Sequence, residues 1–505
     1  MSRLTKRDIV FAVSVVIAFA VAIWALVAGD SFVTTINTVL AALTSHFDWL
    51  YIFGADIIVV FVIGLAISPY GKTKLGDDDS KPEKSLLHWF ALLFSAGMGV
   101  GLIFWGVSEP LSHYLAPMAG VEAMTEEAMR FSLRSCFMHW GIHPWALYSV
   151  VGLAMAYFSY RLHKKSLVSS TLEPVLGKQS RGVAGVIVDI YTAVLTVMGV
   201  ATSFGMGCIQ ISIGIEYLFG IPSTAYTLLV LVGVTCVVYT WSVVSGIDKG
   251  MQLLSNGTMI LCGVLLVLVF VLGPSLDIVN GALVGIGDWL CNFLQDSVRL
   301  ASEGDSTWIR TWRVFYWAWW LSWSPFVGIF LARISKGRTI RGFVLGTIVA
   351  PSVLGILWFS VFGGEAFSAA ASMTAQQLAE VVASPETAPF FVFSQMPLSI
   401  VLSVIALVVL FGFFVTSANS ATYVLSMLTS DGTCNPPTSK KIIWGVLLSV
   451  VAFAFMVSGG VSGIQTIAII ISFPFFFVIF LMCASMLLAL YRERKELRVE
   501  QGSSS

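Results

Sequence analysis

Charge is what this sequence has least of. Of 505 residues, 28 are Lys or Arg and 28 are Asp or Glu, 11% together, where an average soluble domain carries about a quarter. So few charges cannot clothe a large water-facing surface, and the formal net charge of zero excludes the basic footprint of a nucleic-acid binder. The seven cysteines are scattered without a close pair, and most (Cys208, Cys236, Cys262, Cys483) sit inside apolar runs, which excludes a disulfide framework and metal-ligand spacing. Low-complexity tracts are missing. So is any His/Cys/acid cluster of catalytic spacing, and an enzyme is not expected. His139 and His143 stand at i, i+4 with no acidic third ligand nearby in sequence. Deep acids are rare: Asp56 and Asp189 fall near the ends of their helices and read as interfacial or capping groups.

What the chain does have is apolar length. It is 57% hydrophobic, with a mean hydropathy of +0.88, and runs of about 20 apolar residues, each able to cross a ~30 Å hydrocarbon core, recur throughout. The expected fold is an all-α integral membrane protein with twelve transmembrane helices, near residues 9–28, 50–69, 87–116, 132–160, 183–218, 223–243, 252–273, 308–335, 341–362, 398–428, 440–458 and 464–490. With both termini cytoplasmic, only Arg130, Arg134, Arg299, Arg310 and Arg313 of the 28 basic residues fall outside, the asymmetry of the positive-inside rule. Residues 274–306 contain a helix too short and too charged to span, expected at the outer interface; 364–397 is likewise extramembrane. The first apolar run lacks a small-residue cleavage site and is expected to be retained.

Two spans carry helix breakers. The third contains SAGMGVG, with glycines at 97, 99 and 101; each costs about 1 kcal/mol in a helix interior. Unwinding there leaves amides bare, which is tolerable only against protein, water or ligand; packing through small residues is the alternative. The eighth span contains Pro325, predicting a second break. Each break opens a group of five spans, and an odd number places the two groups in opposite orientations, as in secondary transporters with the substrate at the breaks. The predicted organisation is residues 1–85 as tail and two extra helices, 86–273 as the first five-helix repeat, 274–306 as a linking helix, 307–490 as the second repeat, and 491–505 as a tail.

The eighth span is also dense in tryptophan. In FYWAWWLSWSPF, Trp317, Trp320 and Trp323 recur every three residues and are expected to share one face, with Trp319 pointing aside; the fourth span adds Trp140, Trp145 and Tyr148 within an arc of about 140°. Trp308 and Trp312 at the outer start of the eighth span read as an interfacial belt. Trp320 and Trp323 lie three turns inside and are expected to line a cavity. Several aromatic faces suit a quaternary ammonium, each contributing about 0.5–2 kcal/mol, with no carboxylate required. Amides bared around Met98, Gly99 and Gly101 could receive an acid group, so a betaine-like zwitterion satisfies both features. An aromatic trap at the midplane argues against a channel. A membrane-embedded enzyme or sensor that recognises betaine without moving it is the competing class.

The segments FSAGMGVGLIFWGVSEP, HWGIHPWALY, FYWAWWLSWSPFVGIFLARISKGRTIR and FFVTSANSATYVLS resemble those of the betaine/choline/carnitine transporter family, across all but the tails. The resemblance implies a LeuT-like five-plus-five inverted repeat, a homotrimer in the inner membrane, and sodium-coupled, osmoprotective uptake of glycine betaine or another trimethylammonium compound by alternating access. It implies an aromatic box of Trp140, Trp145, Tyr148 and Trp320, with Trp317, Trp319 and Trp323 along the pathway. It also implies a sodium ion, as coupling ion and not as a resident cofactor, on the Thr416 and Ser417 hydroxyls and the carbonyls of Phe413, Ser95 and Met98. On its own, a Thr-Ser pair in a helix most often bonds back to a carbonyl one turn earlier. Gly101 resembles the betaine-type sodium symporters; proton-coupled choline uptake and carnitine-type exchange remain the alternatives on the same fold.

Overall fold

The computed structural model describes residues 6–97, 99–246, 248–300 and 306–503, without the side chains at 87, 91, 94–97, 248–250 and 497–503. Among them there are helices and no strands, apart from one isolated bridge between Lys74 and Thr339. The long helices, in chain order, are α1 (Lys6–Val27), α2 (Gly29–Ile67), α3 (Leu86–Gly97), α4 (Gly99–Leu115), α5 (Glu126–Trp140), α6 (Ile142–Ala156), α7 (Val183–Phe219), α8 (Ala225–Ser245), α9 (Asp248–Leu272), α10 (Ser275–Ser297), α11 (Phe315–Ile334), α12 (Ile340–Ala370), α13 (Ser399–Leu428) and α14 (Thr438–Ser503). Among the described residues nine helices are long and apolar enough to cross a membrane. Threonine supplies several starts: Thr125, Thr224, Thr339 and Thr374 each accept a backbone N–H from the first turn, satisfying a donor that has no partner inside its helix.

The glycine run behaves as its composition demands. Helix α3 ends at Gly97, α4 starts at Gly99, and Gly99 has φ +27°, a value a right-handed helix does not contain. Met98 lies outside the described residues. The break expected at Pro325 is not found: α11 runs through the proline. Proline withholds the N–H that would bond the Leu321 carbonyl, and the Ser324 hydroxyl donates to that carbonyl instead at 2.7 Å, so the helix keeps its course. Its irregularity lies upstream, in a π-helical turn over Ile309–Val314.

An interruption that composition did not signal falls in the fourth span, which divides at Gly141 into α5 and α6. Helix α14 likewise contains a non-helical residue, Gly460 (φ 56°, ψ −154°). The linking segment forms a longer helix than expected, α10, tied to α5 by Arg134, which meets Asp288 at 3.0 Å and Asp296 at 2.9 Å.

Segments grouped by charge also meet in space. Leu75 N–H donates to the Arg338 carbonyl and Gly337 N–H to the Leu75 carbonyl, each at 2.8 Å. Arg161 binds Asp78 and Glu493. These contacts join the basic segments assigned to one side. Helix α11 packs along α6 and α14 along α7; α11 also meets α3, and its tryptophans stand beside the glycine break.

Candidate functional site

Four indoles converge beside α4. Trp320 stacks on Trp319 (4.8 Å between ring centroids, 16° between planes) and meets Trp140 edge-on (4.8 Å, 78°). With Trp323, Ser203, Gly99, Val100 and Gly101 they line a cavity with room of about 10 Å³, about one water molecule. Gly101 makes the approach possible, because a Cβ there would lie 2.8 Å from Trp319 and 2.9 Å from Trp140.

Each ring is pinned through its N–H. Trp319 donates to the Ser203 hydroxyl at 3.0 Å, Trp323 to the Gly199 carbonyl at 2.8 Å, and Trp320 to the His139 carbonyl at 2.9 Å. The last bond follows from the break at Gly141: His139 is one of the final residues of α5, whose carbonyls lack intrahelical partners, and the Trp320 indole takes one of them.

The remaining expected residues sort by distance. Tyr148 meets Trp320 edge-on at 6.0 Å, and Trp145 packs behind Tyr148 at 5.6 Å. Trp317 is turned away and stacks on His143 (4.7 Å, 14°). Expectation and structure thus differ over Trp317 and Trp319. At about 100° per residue, steps of three drift by about 60° each, whereas Tyr316, Trp319, Trp320 and Trp323 fall within about 100° of arc. Nor are Trp308 and Trp312 a lipid-facing belt. Trp308 is buried against His113 and Phe131, and Trp312 packs on His113 at 4.5 Å and Trp105 at 5.7 Å, sealing one side of the site.

Beyond Asp56 and Asp189, the structure brings out an acid that the sequence reading passed over. Glu109, on α4, is fully buried. Its Oε1 faces His139 Nδ1 at 2.7 Å and His113 Nε2 at 3.4 Å; its Oε2 accepts Trp140 Nε1–H at 2.8 Å and the Tyr316 hydroxyl. Asp56, far from serving as a cap, meets His143 Nε2 at 2.9 Å. Asp189 does act as a cap, accepting the Ser169 amide and hydroxyl. Ligand atoms of Glu109, His113 and His139 lie within 4.8 Å of one another. Both carboxylate oxygens nevertheless already hold two partners, and His113 Nδ1 and His139 Nε2 find no partner among the described residues, where metal-bound imidazoles donate their second nitrogen. The donor set is that of a hydrogen-bonded carboxylate. The sequence signal was an ionisable residue inside an apolar span, at i, i+4 from a histidine.

On the opposite side of the glycine break, a Cβ on Gly99 would lie 3.6 Å from Ser417 Oγ. Thr416 donates back to the Gly412 carbonyl at 2.9 Å and contacts that of Phe413 at 3.2 Å. This is the bond-back geometry, and with its proton so engaged the hydroxyl keeps its lone pairs for a cation. Met98 and the side chain of Ser95 fall outside the described residues. A cavity of about 550 Å³ reaches Thr416 and Ser417 and is lined also by Lys84, His88, Asn419 and Arg333.

A multi-pass helical bundle with a buried aromatic pocket at a broken helix defines a membrane transporter. The model of the BCCT, betaine/carnitine/choline family transporter, matches residues 9–495, and the chain belongs to that family. It is 43% identical over 491 residues to the glycine betaine transporter OpuD of Bacillus subtilis, covering 97% of this chain and 95% of that protein. It is 39% identical over 487 residues to an ectoine/hydroxyectoine transporter of Virgibacillus pantothenticus (96% and 97% covered). To glycine betaine transporter 1 of Vibrio parahaemolyticus it is 37% identical over 459 residues (89% and 87%). The protein is a transporter and not an enzyme.

Proposed function

We propose that this protein imports glycine betaine, or a close trimethylammonium zwitterion, by sodium-coupled alternating access and so serves osmoprotection. The observation that carries the reading is the convergence of Trp140, Trp319, Trp320 and Trp323 on the glycine break. Ring faces there replace the water lost by a methylated nitrogen, and amides next to Gly99 receive the carboxylate. Tyr148 and Trp145 back the cage. Sodium, when bound, neutralises the acid end of the solute; Thr416, Ser417 and the carbonyls of Phe413, Ser95 and Met98 are its assigned oxygens, a neutral set suited to a hard monovalent cation.

Twelve crossings follow if α3 with α4, α5 with α6, and the two halves of α14 divided at Gly460 are counted as spans alongside the remaining long helices except α10. Two groups of five then form the inverted repeat behind α1 and α2, with both termini cytoplasmic, in a homotrimer in the cytoplasmic membrane. The closed cage, the aromatic seal around Trp312 and the cavity beside Arg333 correspond to a state shut toward the outside and open on the basic, cytoplasmic side.

The test is uptake of labelled glycine betaine into proteoliposomes, with and without a sodium gradient. Carnitine, choline, dimethylsulfoniopropionate and ectoine compete in turn, ectoine because one relative is named for it. Sodium-dependent uptake blocked by trimethylammonium compounds is expected. Uptake that ignores sodium overturns the coupling, and uptake blocked by ectoine alone overturns the substrate.

A further inference from the structure

We propose that Glu109 is the counter-charge of the aromatic cage, acting on the bound cation through Trp140 without touching it. Four hydrogen-bond partners converge on one carboxylate: His139, His113, Trp140 and Tyr316. Two acceptor oxygens with two partners each make a fully satisfied carboxylate, and an indole N–H can only donate. No Lys or Arg side chain forms an ion pair with it among the described residues; the two imidazoles beside it are hydrogen-bond partners that carry charge only when protonated. Arg313, the buried cation on the outer side, is held by the Asp296 carbonyl. The charge on Glu109 is therefore spread through hydrogen bonds and not cancelled by a neighbouring cation.

One of those bonds leads straight to the site. Trp140 gives its N–H to Glu109 and turns its ring toward Trp319 and Trp320 at the cavity. An indole that donates to a carboxylate is polarised, with its π face more negative and more attractive to a cation. His139, bound to the same carboxylate through its ring, holds Trp320 through its backbone carbonyl. Glu109 is thus a positioning residue for two cage rings and a source of negative potential in a dry region, where a charge acts over longer range than in water. The selective consequence is for charge: the site favours a methylated nitrogen over a methylated carbon of the same shape.

This inference rests on the proposed betaine reading, and the experiment separates the two. Glycine betaine and its uncharged-head carbon analogue, 3,3-dimethylbutanoate, differ only in nitrogen against carbon. Their affinities are measured on the purified full-length transporter by quenching of tryptophan fluorescence. Wild type that binds neither compound overturns the substrate reading itself, and wild type that binds both equally well overturns the counter-charge. If wild type prefers glycine betaine, Glu109→Gln, which keeps an acceptor for Trp140 but removes the charge, is expected to lower that preference about tenfold, consistent with a buried charge acting at a distance. Glu109→Asp, which keeps the charge, is expected to retain the preference even if both ligands weaken. Equal weakening of both ligands in Glu109→Gln, with the preference intact, reduces the residue to a structural role and overturns the proposal. Should Glu109→Gln fail to fold, Glu109→Asp decides: loss of preference there contradicts it.

Discussion

The two sides of the glycine break differ in kind. On one side aromatic rings close on one another: Trp105, Trp312, His113, Trp308 and His139 pack in contact above the cage, and a buried carboxylate is enclosed by its donors. On the other side hydroxyls of α13 border a cavity of about 550 Å³ whose rim carries Lys84 and Arg333. In the proposed reading, the π surface is the side that meets the methylated cation, and the neutral oxygens beside the larger cavity are the side that meets the small ion. On that reading, a chain with 11% charged residues handles two charged solutes. It spends almost no formal charge on either, and places a fully buried acid, Glu109, behind a ring.

Mutations can break this contrast, from the largest effect downward. Trp320→Leu removes the ring that packs on Trp140, Trp319, Tyr148 and Tyr316 and is expected to weaken glycine betaine binding about 30-fold or more, from a loss of about 2 kcal/mol in a dry site; a titration of the purified variant reads it. Gly101→Ala forces a methyl into space already held by Trp319 and Trp140. Overpacking of this kind costs about 1–3 kcal/mol, and uptake is expected to fall about tenfold while the protein still reaches the membrane. Ser417→Ala strikes the open side alone. It is expected to raise the sodium concentration for half-maximal uptake several-fold, by about 1 kcal/mol for one lost oxygen, and to leave sodium-saturated betaine affinity near wild type; a matched loss of betaine affinity without sodium would blur the division. Arg161→Ala, remote from both, breaks contacts to Asp78, Glu493 and the Gly76 carbonyl. The partly exposed pairs contribute about 1 kcal/mol or less, so a small drop in thermal stability with near-normal uptake is expected.

How much of this was legible beforehand varies with the physics involved. Apolar runs fixed the class, because a bilayer demands length and little else. The glycine run announced its own irregularity, since φ +27° at Gly99 is open to glycine and to few other residues. Pro325 misled because breaking a helix requires a carbonyl left unpaired, and the neighbouring Ser324 hydroxyl supplies the missing donor. The periodicity argument exchanged Trp317 for Trp319 because three-residue spacing was treated as a straight face when it drifts around the helix; only the family resemblance kept Trp319 beside the pathway. The Glu109–His113 pair was legible at i, i+4 within one helix; what spacing could not show is that α4 and α5 bring His139 to the same carboxylate from 30 residues away. The same limit hid the Asp56–His143 pair, 87 residues apart.

The claim on which the rest depends is that the rings hold the methylated head itself. Tetramethylammonium carries that head and nothing more, so its competition with labelled glycine betaine for the purified protein tests the claim most directly. Displacement in wild type, lost in Trp320→Leu, is the expected result. Failure of tetramethylammonium to displace glycine betaine at any concentration, or displacement that is unchanged in Trp320→Leu, would contradict it.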